Sequence, residues 1–324
     1  MPTISVVIPH SGKDDYLIEA VRSVMLQTVL PSETLIILDG VNLGEAASVE
    51  LSKYKHLKII SIRKSGVSAA RNEGIRLATS EWIAFLDSDD LWDTHKLELQ
   101  MPFLKENVSF VHGNAYIFFE NDLSHFEVVA PQAQPTFYNL LIGVYAVSGS
   151  SSSVVVKRSK LINVGLFDFS MQVAEDWDLW VRLAKEGTIV HNPLAISYIR
   201  SHQQSSQAKL YWNTKLTHKN SDFFSMCRIY EKHTDIRNRQ LDSQVRELFI
   251  ERISWEILKM WRKPGKILFA IPRIGKSEQP IIWNQLFPTN SKYVLWAIQF
   301  STKKMTIVVI NQVKSLINRL KSFK

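Results

Sequence analysis

Cysteine is nearly absent: the chain has one, Cys227, in 324 residues. That excludes an internal disulfide, and no second cysteine or histidine accompanies it at metal-ligand spacing. Long apolar runs are missing as well. The first, residues 4–8, is short and has no basic residue ahead of it, so no export signal is expected. Residues 293–300 fall far short of the ~20 apolar residues a helix needs to cross a bilayer, and a cytoplasmic placement is the expectation. Internal repeats and low-complexity linkers are also wanting. Acidic residues become scarce toward the C-terminus, where residues 251–324 hold 14 Lys/Arg against 3 Asp/Glu. That balance of +11 within a chain of +8 leaves residues 1–250 at −3, so the basic character belongs to the tail. No recognition motif surrounds it, and a nucleic-acid partner is not expected.

What remains, 45% hydrophobic and 22% charged residues, suits a globular protein with a real core, and 324 residues suggest one catalytic domain plus an appendage. Residues 4–8, 35–38, 58–62 and 82–86 are short apolar or β-branched runs separated by segments of helical periodicity. In the first such segment Leu17, Ala20, Val21, Val24 and Met25 fall on one helix face before Pro31 closes it. Continuously apolar strands imply a sheet covered on both faces, as in parallel βαβ units, and such sheets bind ligands at the carboxyl ends of their strands. Each strand is followed there by polar or conformationally special residues: Pro9-His10, Asp39-Gly40, Lys64-Ser65-Gly66 and Asp87-Ser88-Asp89-Asp90. Further on come apolar runs at 108–111 and 116–119, a helix-like stretch at 137–141, a serine cluster at 148–153, and a strand at 154–156. A helix is expected from Asp176 to Gly187, with Trp177, Trp180, Val181 and Ala184 on one face. Beyond about residue 205 the chain reads as mostly helical.

Three carboxylates within four residues repel each other unless solvated or neutralised. Asp87, Asp89 and Asp90 are either a polar turn or ligands for a divalent cation; hard oxygen donors select Mg2+ or Mn2+. The surrounding segments decide between these. SVVIP at 5–9, Asp39-Gly40, GVSAARNEG at 66–74, FLDSDD at 85–90 and EDWDLW at 175–180 occur in the order seen in glycosyltransferase family 2, which the chain resembles over residues 1–205.

The resemblance implies a GT-A fold: an α/β, Rossmann-like nucleotide-binding domain with a central, mainly parallel sheet, followed here by a mostly helical C-terminal region. Residues 1–107 would be the nucleotide-sugar-binding half, 108–205 the acceptor-side half, and 206–324 the basic helical region. It implies an inverting transferase that moves a hexosyl or N-acetylhexosaminyl group from a nucleotide-diphosphate-sugar, UDP-sugar favoured, to a hydroxyl of a glycan, polymer or lipid-linked acceptor in cell-surface polysaccharide synthesis. Asp87 would touch the ribose, Asp89 the metal, Mn2+ or Mg2+, and Asp39 the base edge. Arg71 would help hold the nucleotide, with Pro9, His10, Ser65 and Ser88 lining its pocket. Asp176, beside Glu175, would be the catalytic base; acids at a helix start also complement its dipole. In the segment Arg200-Ser201-His202, followed by Ser205 and Ser206, His202 would complete the metal shell while Arg200 and Ser205 meet the diphosphate.

The chain departs from the family pattern at Ser11, where a tyrosine is customary, at Leu38-Asp39-Gly40-Val41, and at Lys64. These departures all touch the nucleotide pocket and motivate the competing reading, a catalytically inactive nucleotide-binding or scaffold protein on the same fold. In the tail, Val309, Val313, Leu316, Ile317, Leu320 and Phe323 share a helical arc flanked by lysines and arginine. Such a helix can lie on the inner face of an anionic membrane as a peripheral contact, or pack on its own domain or a partner.

Overall fold

The computed structural model describes residues 1–202, except 121, 149, 172 and 173, together with 228–230, 232 and 233. Met1–Leu140 and Val144–Ser205 form one compact unit, and the site described below lies wholly within it. The chain begins as alternating strands and helices: β1 (Ile4–His10), α1 (Asp14–Met25), β2 (Glu33–Asp39), α2 (Glu45–Leu51), β3 (Leu57–Ile62), α3 (Val67–Leu77) and β4 (Trp82–Phe85). There follow β5 (Leu91–Trp92), α4 (Lys96–Gln100), β6 (Val108–Phe119), β7 (Asp122–Val129), α5 (Phe137–Leu141), β8 (Val154–Lys157), α6 (Arg158–Asn163), α7 (Glu175–Leu183) and β9 (Thr188–Ser201).

All nine strands join one sheet, in the order β3-β2-β1-β4-β8-β6-β9-β5, with β7 paired to β6. The β3-β2-β1-β4 half is parallel. β8 inserts antiparallel between β4 and β6, and β9 runs parallel to β6. Every residue of β1, β2 and β4 is buried, as continuous apolar strands covered on both faces require. Leu17, Ala20, Val21 and Val24 of α1 cover the face carrying Ile4, Val6 and Ile8. On the other face α3 lies so close that a side chain at Gly74 would meet Val7. At the edge, Ile59 of β3 remains partly exposed.

α1 ends at Met25, the last residue of the face expected for it, ahead of Pro31. Local patterns matched the elements they forecast, with two differences. The runs at 108–111 and 116–119 are two parts of the single long strand β6. α7 ends at Leu183 rather than Gly187; a side chain at Gly187 would collide with the Asn107 carbonyl and Lys160, so this glycine serves a close chain approach, not a helix stop. Among the described residues no helix is long and apolar enough to cross a membrane. Residues 228–230, 232 and 233 are helical; the rest of the expected C-terminal helical region and its amphipathic arc lie outside the described residues, as do Ser205 and Cys227.

Candidate active site

From β1 the chain builds outward on one side to β2 and β3, while β4 pairs on the other side. This reversal opens a crevice at the strands' carboxyl ends, where ligands of open α/β sheets bind. Pairing of β1 with β4 ends at Val7 and Phe85, so Pro9, buried and lacking an N–H, falls beyond that ladder. The acidic residues follow at once and close a turn, Asp90 N–H donating to the Asp87 carbonyl at 3.0 Å.

Asp90 is the buried member of the cluster. One of its oxygens accepts from Ser152 Oγ at 2.6 Å and the other from the Arg200 N–H at 2.9 Å. Burial, then the neighbouring Asp89 and Asp87, push its pKa well up. Arg200 adds a bond from Nε to the Asp89 carbonyl at 2.8 Å and reaches Glu19 and the Glu120 carbonyl through its other nitrogens. Its guanidinium lies between the rings of Tyr16 and Phe118. The structure thus gives Arg200, expected at the diphosphate, a part in holding the acidic loop.

Arg71 joins the two acidic segments. It is 4% exposed; Nη2 donates to Asp87 at 2.6 Å and Nη1 to Glu175 at 2.9 Å. Burial alone would lower its pKa, but Asp87 and Glu175 outweigh that and raise it. The next residue fixes the second segment: Asn72 exchanges two 2.9 Å hydrogen bonds with the backbone of Phe167, and the Phe167 ring sits between Phe85 and the Arg71 guanidinium. The sequence Arg71-Asn72 therefore brings the chain leading to α7 onto the acidic loop.

The first turn of α7 carries Glu175 and Asp176. Its N-cap, Ala174, adopts the left-handed conformation (φ 60°) and offers no side-chain cap, an uncommon and mildly strained geometry for a residue other than glycine. Glu175 turns to Arg71 instead of capping. Asp176 Oδ1 accepts from the Trp177 N–H at 2.7 Å. Its pKa is pushed up to about 6, by desolvation first and Glu175 second, against the opposing pull of Arg71.

On the far side of the loop His202 Nε2 lies 3.0 Å from Asp89 Oδ2. Asp89 is 35% exposed, and among the described residues no arginine pairs with its carboxylate as Arg71 does with that of Asp87. Among the described residues no group of three or more His, Cys, Asp or Glu side chains is arranged to hold a metal. A carboxylate and an imidazole 3.0 Å apart do match neighbouring ligand positions on an octahedral ion with bonds of ~2.1 Å, and such ions commonly take their remaining ligands from water and substrate phosphates. The donor set therefore fits a two-residue cation site.

Two residues expected to face the nucleotide have internal partners. His10 is buried at the end of β1, Nδ1 3.0 Å from Ser88 Oγ and Nε2 3.2 Å from Asp14. Burial lowers its pKa. Asp14 in turn accepts from the Gly44 N–H at 2.7 Å. Asp39 accepts from the N–H groups of Ser65 at 2.6 Å and Gly66 at 2.9 Å, which pins the start of α3. Gly40 (φ +69°) lies against Lys64 so tightly that a Cβ would meet its backbone; only glycine permits that approach.

Asp87, Glu175, Asp176 and Arg71 thus form one cluster, Asp89 and His202 a second, and Asp90 with Arg200 the frame between them. Sequence reasoning missed Ser152, Asp14 and Glu19. The serine cluster at 148–153 was the one visible signal, and it marked the approach to β8 without indicating a contact 62 residues back.

The family model for glycosyl transferase family 2 matches residues 5–141. The Escherichia coli UDP-Glc:alpha-D-GlcNAc-diphosphoundecaprenol beta-1,3-glucosyltransferase WfgD is 30% identical over 212 residues, which cover 65% of this chain and 80% of that protein. An uncharacterized glycosyltransferase of Rickettsia conorii is 32% identical over 188 residues, 57% of this chain but 31% of its own, so the chain spans about a third of that relative's length. Among solved structures, S. aureus TarS 1-349 in complex with UDP-GlcNAc superposes with a TM-score of 0.58 at 17% identity, covering 91% of this chain and 78% of that one. At that identity the likeness speaks to the fold.

Proposed function

Since the chain belongs to glycosyltransferase family 2, we propose that it transfers a sugar with inversion from a UDP-sugar to a hydroxyl of a glycan or lipid-linked acceptor, in cell-surface polysaccharide synthesis. The observation that carries this reading is the contact of one buried guanidinium with both Asp87 and Glu175. It joins an acid of the strand-end loop and the acidic turn of α7 through one arginine, which supports a donor side and an acceptor side within a single site. The UDP-Glc in the relative's name and the UDP-GlcNAc held by the structural neighbour favour uridine.

In this reading Asp176 takes the proton of the acceptor hydroxyl while that oxygen bonds to the sugar's C1 and the C1–O bond to the diphosphate breaks. A carboxylate with its pKa near 6 is a better base at neutral pH than an ordinary aspartate, yet still ionised there. Asp87 meets the ribose. Asp89 and His202 would hold Mn2+ or Mg2+, which when bound supplies Lewis-acid stabilisation of the leaving diphosphate. Arg71 offsets the repulsion between Asp87 and Glu175, and the basic C-terminal quarter would draw the enzyme to an anionic membrane face, where a lipid-linked acceptor resides.

The test is transfer from UDP-glucose and UDP-GlcNAc, with UDP affinity measured in parallel with and without Mn2+. Asp176→Asn is expected to lose ~10²–10⁴-fold in turnover and keep UDP affinity, whereas Asp89→Asn loses the Mn2+-dependent part of binding. Undiminished transfer by the Asp176 variant would reject the assignment.

A further inference from the structure

We infer that Ser152 is a positioning residue for metal-assisted diphosphate binding, its hydroxyl setting the geometry in which the acidic loop presents Asp87 and Asp89. This rests on the metal-dependent reading above. Ser152 is fully buried. Its Oγ donates to Asp90 Oδ2 at 2.6 Å and accepts from the Asp87 N–H at 3.0 Å. One hydroxyl thus ties together the first and last residues of the loop, using its donor and an acceptor lone pair at once. The opposite side is held through the Arg200 N–H on Asp90 and Arg200 Nε on the Asp89 carbonyl. With the backbone anchored on both sides, the Asp87 and Asp89 carboxylates are left to face Arg71 and His202.

The serine is itself braced by groups with no part in the chemistry. Its carbonyl accepts from Trp92 Nε1 at 2.8 Å, and that of Ser153 accepts from Gln100 Nε2 at 3.0 Å. Lys96, fully buried, donates to Gln100 at 2.7 Å and lies 4.2 Å from the centre of the Trp92 ring. The chain enters this turn through Ser150 at φ 56°, ψ −165°, a conformation that residues with a Cβ rarely adopt and that a structure retains where its surroundings dictate it. The Ser150 hydroxyl accepts from the Ser152 N–H at 3.3 Å. Alanine at 152 would leave both the Asp90 oxygen and the Asp87 N–H without this partner inside the protein, and each would seek another by moving the loop.

The experiment is calorimetric titration of the full chain with UDP, with and without Mn2+, on the wild type, Ser152→Ala, and the matched pair Ser152→Thr and Ser152→Val, which differ in the hydroxyl at nearly equal volume. Mn2+ should strengthen UDP binding by the wild type. Ser152→Ala should lose that gain by about tenfold or more, the loss of a buried hydrogen bond that leaves its partner unsatisfied, and lose less in metal-free UDP affinity. Thr should retain more of the gain than Val even if the alanine variant does not fold. A lower melting temperature with the full Mn2+ gain intact in Ala, or equal gains in Thr and Val, overturns the inference. Absence of any Mn2+ gain in the wild type overturns instead the metal-dependent reading, and the inference with it.

Discussion

Replacing Arg71 with methionine tests whether a single cation organises the site. Arg71 is 4% exposed, and its partners Asp87 and Glu175 are 25% and 15% exposed. Removing one member of a buried ion pair costs roughly 3–5 kcal/mol, because the remaining charge is left uncompensated. Asp87 reaches some solvent, which places the expected loss at about 3 kcal/mol. For a unit of this size that is a fall of roughly 6–12 °C in melting temperature, readable by calorimetry. The second effect is on pH dependence. Arg71 favours the ionised form of Asp176 and pulls against the burial that raises its pKa; without it the pKa rises above about 6. With Asp176 as the proposed base, transfer needs its ionised form, so the acid limb of the kcat/KM profile is expected to move to higher pH. Lysine at 71 keeps the charge but not the two-pronged fork and should shift the limb less than methionine does. A methionine variant that melts like the wild type, or whose acid limb stays where it was, refutes the reasoning.

In the wild type the acid limb itself should lie near pH 6, rate falling about tenfold per pH unit below it; a limb near pH 4 would mean that Asp176 is not the base. Glu175→Gln should move that limb to lower pH, opposite to the Arg71 variant, because Glu175 raises the Asp176 pKa. His112 is buried, and its pKa is lowered to about 3 by burial and by His191. The folded state refuses a proton that the unfolded chain accepts below about 6.5, so His112 costs stability as pH falls from 6.5 toward 3, by up to ~1.4 kcal/mol per unit. Denaturant melts at pH 7 and 5 should then show a shallower acid loss in His112→Leu. Gly74→Ala would force a methyl group into Val7 and should cost ~1–3 kcal/mol; adding Val7→Ala should recover part of it, and purely additive losses would contradict this packing.

Much of the parallel half was legible because its signals are local. The face Leu17, Ala20, Val21 and Val24 is fixed by helical spacing and is the face that α1 buries. The runs at 4–8 and 82–86 mark β1 and β4 to within a residue or two. Asp39-Gly40 and Lys64-Ser65-Gly66 meet because parallel strands bring their carboxyl ends together. What could not be read were pairings whose two halves carry no shared pattern. Ser152 with Asp90, Arg200 with Glu19, and His10 with Asp14 depend on how β8, β9 and α1 are placed, and composition is silent on that. Gly187 shows the converse error: a real glycine requirement attributed to the nearest helix end when its cause was the Asn107 carbonyl.

The bulged pairing of β6 and β9 has a consequence for how this chain can change length. β9 uses 14 residues to run beside 12 of β6: β6 takes up one extra residue between Val108 and Phe110, and β9 three extra residues where the register slips between Gly113 and Ala115. From there Ala115↔Ser197 through Phe119↔Ser201 run in step. Side chains alternate faces with period two, so the face that Arg200 presents is fixed by the in-step pairing that begins at Ser197. Residues 193–196, opposite Asn114 alone, can gain or lose a residue without moving it, whereas a single insertion or deletion between Ser197 and Arg200 would turn Arg200 to the opposite face and carry His202 away from Asp89. Length is elastic in the first segment and rigid in the second, a contrast that aligned relatives would reveal.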